Sequence, residues 1–108
     1  MPTNCECETP PFHFLDFDQK VVGEDKYGAE VFLEKCAVCG RTWLKYLVEE
    51  PHYSRSGRWW RVPVQSEQIA VISAEMARSF IEQQPWCFVG GSYFDSTGYL
   101  VRAPIKIV

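Results

Sequence analysis

No apolar run in this chain approaches the roughly 18–20 residues that cross a bilayer, and the first residues hold no basic stretch followed by an apolar core. The expectation is a soluble, unsecreted, cytoplasmic protein without a membrane partner. Low-complexity tracts, internal repeats and linkers long enough to divide domains are all missing, so residues 1–108 are expected to form a single domain. An excess of one charge is missing too. The net charge of −3 argues against bulk, sequence-independent nucleic-acid binding, which rests on many phosphate contacts. Catalytic constellations are equally scarce. Ser54 and His52 share one loop, but a nucleophile needs a base oriented by a third group and an oxyanion site, and the spacing supplies neither. Gly90-Gly91-Ser92 lacks the helix start on which phosphate loops depend, and reads as part of a hairpin loop. The chain is therefore expected not to be an enzyme.

What is present points to a packed, β-rich body. Apolar residues make up 46% of the 108 and aromatics 15%, enough to exclude disorder and to fill a core. Charge is unevenly spread: residues 1–34 carry −6, residues 35–61 carry +4, and the remainder −1.

Five cysteines, an odd number, do not pair off neatly as disulfides, and a reducing compartment favours thiols. Two of them form Cys36-Ala37-Val38-Cys39-Gly40, a turn able to wrap two sulfurs round one ion. Cys5 and Cys7 form a second close pair; residues i and i+2 of an extended segment project to the same side, so one ion can take both. Four soft ligands in two pairs are the pattern of a structural zinc site, with Cys5, Cys7, Cys36 and Cys39 as ligands. A disulfide framework among the same four residues is the alternative, as is a redox dithiol at Cys36 and Cys39. A redox pair normally opens a helix, whose N-terminus lowers the thiol pKa, whereas this pair lies between strands. His13 or His52 could replace one cysteine as ligand. Cys87, between Trp86 and Phe88, reads as a small buried hydrophobe. The Cys-x-x-Cys-Gly segment resembles the knuckle of zinc ribbons and rubredoxins over residues 36–40. Those families usually repeat the knuckle at the second pair, and Cys5-Glu6-Cys7 departs from that pattern.

Along the chain, residues 1–11 read as an extended arm that Pro10-Pro11 stiffens. Phe12–Phe17 is a short strand or pinned loop whose aromatics anchor the arm. Val21–Gly28 turns from apolar to charged. Glu30–Lys35 and Thr42–Glu49 are strands joined by the knuckle; Leu44, Tyr46 and Val48 share one face of the second, and Trp43, Lys45 and Glu49 the other. Gly40 is expected to supply a positive φ at the tip. Arg58–Val64 is a third strand, which Pro63 pushes to an edge or a strand end. Ser73 caps a helix over about 74–83 with a stripe of Met76, Ala77, Phe80 and Ile81, ended by Pro85. Trp86–Val89 and Tyr99–Arg102 flank a loop at Asp95–Gly98, and alternation from Tyr99 to Ile107 predicts a half-buried C-terminal strand. The fold class is α+β: a mostly antiparallel β-sheet, one packed helix, and a four-cysteine zinc clip joining the N-terminal arm to a β-hairpin tip.

Arg55, Arg58, Trp59, Trp60 and Arg61 interleave guanidinium groups with indoles, and such residues are suited to gripping a protein partner, stacking on bases or holding phosphates. The plainer alternative is tryptophans in the core and arginines in water. Three functional classes follow. One is a non-enzymatic protein-interaction module with structural zinc, using the Trp/Arg surface or a sheet edge. The second is a nucleic-acid-binding zinc module using strand 55–61. The third is a thiol redox or metal-trafficking protein. The first is the expectation.

Overall fold

The computed structural model describes residues 17–48, 57–91, 96–102, 105 and 107. The elements run β1 (Phe17–Glu24), β2 (Glu30–Cys36), β3 (Thr42–Val48), β4 (Arg58–Val64), α1 (Ser66–Ile69), α2 (Ala74–Glu82), β5 (Cys87–Gly91) and β6 (Ser96–Val101). The strands form one six-stranded sheet in the order β1-β2-β3-β4-β5-β6, every neighbouring pair antiparallel. The mostly antiparallel α+β fold with one main helix is thus observed.

Strand alternation sorts the side chains to two faces. Val31 and Leu33 of β2, Leu44 and Tyr46 of β3, Trp60, Val62 and Val64 of β4, and Cys87 and Val89 of β5 share one face with Ala74, Ala77 and Ile81 of α2. The helix is apolar at i, i+3 and i+7, and this stripe closes the main core. Met76, expected in the stripe, is exposed on the flank of the helix. Ser73 holds the N-cap position in extended conformation, although its side chain makes no capping hydrogen bond. On the opposite face Cys36, Trp43 and Phe88 are buried together, with Phe17, Trp59, Trp86 and Leu100 partly buried against them. Trp43 packs on Trp86 and Phe88 at centroid distances of 6.3 and 5.8 Å. Leu44, Tyr46 and Val48 therefore lie on one face of β3 and Trp43 on the other, as their alternation requires.

The structure corrects three further expectations, decides one and adds a helix. A full strand, β1, occupies Phe17–Glu24, beginning at the last residue of the expected short strand or pinned loop and running through the expected apolar-to-charged turn from Val21. The register shifts between Val21 and Gly23, leaving Val22 as a bulge that interrupts the period-2 pattern. Of the two places expected for Pro63, an edge or a strand end, the structure shows the second: β4 lies inside the sheet, but β5 pairs only with Trp59, Trp60 and Arg61, so Pro63 sits beyond that ladder, where its missing N–H costs nothing. Strand β6 begins at Ser96, inside the segment expected to be loop, and ends at Val101. Ile107 is buried against α2 instead of continuing the strand: Arg78 Nη2 donates to its carbonyl at 2.6 Å and Glu82 Oε2 accepts from its N–H at 2.9 Å. A short helix, α1, contributes no buried residue and left no stripe to detect.

The β1–β2 turn is tied to β3 by one carboxylate. Asp25 Oδ1 accepts from the N–H groups of Tyr27 and Ala29, both at 3.0 Å, and its other oxygen accepts from the Tyr46 hydroxyl. Burial, then the hydrogen bond to Asp25 and its charge, raise the Tyr46 pKa above its usual 10.0. Burial likewise pushes the Cys87 thiol from 9.0 up to about 12. Both groups keep their protons in the fold more firmly than in the unfolded chain. The stability they contribute is complete below pH 9–10 and is lost as pH rises through the folded values. Tyr46→Phe is expected to cost about 1.5–3 kcal/mol at neutral pH, because the lost bond goes to a charged acceptor. Denaturant titrations between pH 8 and 12 should show wild-type stability falling more steeply than that of Tyr46→Phe; parallel curves would contradict the assignment.

Candidate metal centre

The turn between β2 and β3 is closed by its backbone. The Cys36 N–H donates to the Arg41 carbonyl at 2.8 Å, and the Gly40 N–H donates to the Cys36 carbonyl at 3.0 Å. Gly40 has φ +77°, in the left-handed region, and nothing crowds its Cα; backbone direction, not space, calls for glycine here. This chain path aims the Val38 N–H at Cys36 Sγ, 3.4 Å away. Cys36 is buried and Cys39 exposed, with Val38 between them 84% exposed. The expected hairpin tip, with its glycine conformation, is therefore present.

Register brings the start of β1 to the same place. Phe17, the first residue of β1, pairs with Cys36, the last of β2. The chain enters the sheet beside the knuckle. Cys7 precedes Phe17 by ten positions, a distance that ~33 Å of extended chain can span. A cavity of about 440 Å³ lined by Phe17, Asp18, Lys35, Cys36 and Ala37 opens at this junction. Cys5 and Cys7, like His13, His52 and Arg55, lie outside the described residues. Among the described residues, no three His, Cys, Asp or Glu side chains converge as a metal cluster. The donor chemistry of the knuckle fits a soft divalent ion: one buried sulfur with an amide directed at it, and a second sulfur three positions on.

A buried ion pair adjoins this junction. Arg61 is 1% exposed, and its Nε donates to Glu34 Oε1 at 3.0 Å. Gln19 Nε2 donates to the other Glu34 oxygen at 3.1 Å. The guanidinium carbon lies 4.4 Å from the centre of the Phe17 ring and 4.7 Å from that of Trp43, within the range of cation–π attraction. Glu34 and Cys36, two apart in β2, share a face with Arg61. Sequence reading missed Glu34 entirely. Its only signal was an acid within the apolar run from Val31 to Cys36, and its partner stands 27 positions later.

The arginine–tryptophan strand is split by the pleat. Trp60 points into the main core, 2% exposed and tilted against Tyr46 at 6.0 Å. Arg58 and Arg61 are buried as well. Trp59, on the second face, keeps part of its surface in solvent, with the Lys45 ammonium 5.9 Å from its ring. Its indole lies over Gly90, where an added Cβ would come within 2.3 Å of Trp59 Cζ2. Arg58, Trp59, Trp60 and Arg61 thus do not make one continuous outward face: a charge counted as solvated at Arg61 is taken up by Glu34, and the pleat sends the two indoles to opposite sides. Among the described residues, no helix is long and apolar enough to cross a membrane. Comparison with protein-family models, curated proteins and solved structures finds no match to this chain.

Proposed function

We propose that the chain is a non-enzymatic protein-interaction module in which one structural zinc ion, bound by Cys5, Cys7, Cys36 and Cys39, joins the N-terminal arm to the β2–β3 tip. The observation that carries this reading is the Val38 amide directed at Cys36 Sγ, in a turn that lies opposite the root of the arm. Four thiolates fill a tetrahedron and leave no position for water, so the ion supplies cross-linking and not Lewis-acid chemistry. Zinc with four thiolates carries a net charge of −2, and Lys35 and Arg41, at the two ends of the turn, are placed to offset it.

A protein partner is favoured over nucleic acid because the Arg61 charge is committed to Glu34 inside the fold. The surface offered is the β1 end of the sheet. There β1 is the last strand among the described residues, Asp18 to Val21 are exposed, and Val21 leaves 66% of its surface in water. Protein purified under reducing conditions should contain one zinc per chain with thiolate ligation. A metal-free chain, or iron with thiolate charge-transfer colour, would overturn the zinc reading. Binding to DNA that weakens about 20–40-fold between 50 and 200 mM salt, the slope of three phosphate contacts, would instead favour a nucleic-acid module.

A further inference from the structure

We infer that β1 is a self-association edge: a second copy of this chain adds its own β1 antiparallel, with the two Gln19 residues opposite each other. The inference deepens the reading above, which offers the β1 end to a protein partner, and rests on it only for that surface. Register fixes which backbone groups are on offer. The Cys36 N–H bonds toward β3, to the Arg41 carbonyl, and successive residues of an antiparallel strand direct their backbone groups to opposite neighbours. Glu34 and Cys36 thus address β3, while Leu33 and Lys35 address β1, where they stand opposite Lys20 and Asp18. Phe17, Gln19 and Val21 are left with N–H and C=O groups directed at the other side of β1, where no further strand lies among the described residues. Asp18, Gln19, Lys20 and Val21 are all exposed, so neither face of the strand is covered here.

A lysine on an open edge discourages strand addition in general, and Lys20 stands in the middle of this one. Charge then selects the register. A two-fold axis perpendicular to the sheet keeps each face on its own side, so every residue meets one of the same face. Centring the axis on Asp18 sets that aspartate against its own copy, and centring it on Lys20 sets the lysine against its own; like charges directly opposite are destabilising. Centring it on Val21 runs the ladder into the bulge at Val22. With the axis at Gln19, Asp18 of each copy meets Lys20 of the other, and Phe17 of each meets Val21 of the other. Within one chain Asp18 lies opposite Lys35, whereas Lys20 lies opposite Leu33 and gains its counter-charge from the second copy. Val21, 66% exposed, is covered by Phe17. The bulge limits the ladder to these five residues, so the contact is small and the dimer reversible.

Sedimentation equilibrium of the full chain, from micromolar to millimolar concentration, should show a monomer–dimer equilibrium. Lys20→Asp and Asp18→Lys each make both charge pairs repulsive, and each should raise the dimer dissociation constant about 10-fold or more. Mixed in equal amounts, the two variants set two aspartates against two lysines, and a heterodimer should form at least as tightly as the wild-type dimer. Both positions are exposed, so melting temperatures should stay near that of the wild type. Should Asp18→Lys fail to fold beside Lys35, Val21→Lys carries the comparison, since it removes the apolar pair with Phe17 and should also weaken the dimer. A wild-type chain that stays monomeric, variants that dimerise as tightly as the wild type, or a charge-swapped mixture that stays monomeric overturns the inference. The zinc content of the same samples tests the reading above separately: a monomer with thiolate-bound zinc removes the β1 dimer and leaves the zinc module standing.

Discussion

A Cys36→Ser chain is expected to purify without stoichiometric zinc and with the β2–β3 tip unprotected from hydrogen exchange. Serine is nearly isosteric, but its hydroxyl does not ionise near neutral pH and is a harder donor than a thiolate. Three ligands would remain, and the Val38 amide would lose the sulfur at which it points. Zinc binding to small structural sites is worth roughly 10–16 kcal/mol at neutral pH, whereas a whole domain is stable by only about 5–15 kcal/mol. On the proposed zinc reading, losing the ion therefore removes a large share of the chain's stability. Cys39→Ser should release the metal too, with less damage to the zinc-free chain, because Cys39 is exposed where Cys36 is buried. Cys87→Ala should retain zinc, since Cys87 lies on the helix side of the sheet. Metal analysis and residue-resolved exchange check all three. Stoichiometric zinc in Cys36→Ser would remove this residue from the ligand set.

Trp60→Ala is expected to cost about 3–5 kcal/mol, the usual range for deleting a fully buried aromatic. Its indole fills the space between β4 and α2 and packs on Tyr46. Trp59→Ala should cost clearly less, because that ring is partly solvated and rests on Gly90. If Trp59 also touches a partner, its alanine variant weakens the complex more than it lowers the melting temperature. Denaturation midpoints of the two variants, compared with their partner affinities, separate packing from binding. Equal stability losses would mean that Trp59 is as much a core residue as Trp60.

The parts legible from sequence are those in which neighbours in the chain decide the structure. The span of α2 and the Ala77–Ile81 part of its stripe, the alternation in β3 and the turn at Gly40 all depend on a few adjacent residues. The β1 strand was illegible because Val22 forms a bulge and the exposed residues before it carry no regular pattern. Ile107 kept the period of a strand, yet its burial comes from Arg78 and Glu82, which hold its backbone on the helix. The two indoles of β4, adjacent in sequence, point to opposite faces as strand alternation requires. The burial of Arg61 could not be read locally, because its counter-charge and both its aromatic neighbours belong to three other strands. Pattern reading treats an arginine beside tryptophans as a surface residue unless a partner is known. The likeness of residues 36–40 to a metal knuckle rests on the same local kind of signal, of which the structure shows the turn and the positive φ of Gly40.

The sequential order of the strands also bears on how the chain acquires its structure in time. Strands β2, β3 and β4 each pair with the strand just made, so little loop entropy must be lost before contacts form, and such local pairings are reached quickly. Only the β4–β5 junction waits for a long intervening segment, the one that carries both helices. During synthesis the β1–β2–β3 meander, with Cys36 and Cys39 at its tip, is complete before α2 exists to cover its apolar face. Of all the strand junctions, this meander is therefore the one that spends longest with an uncovered surface.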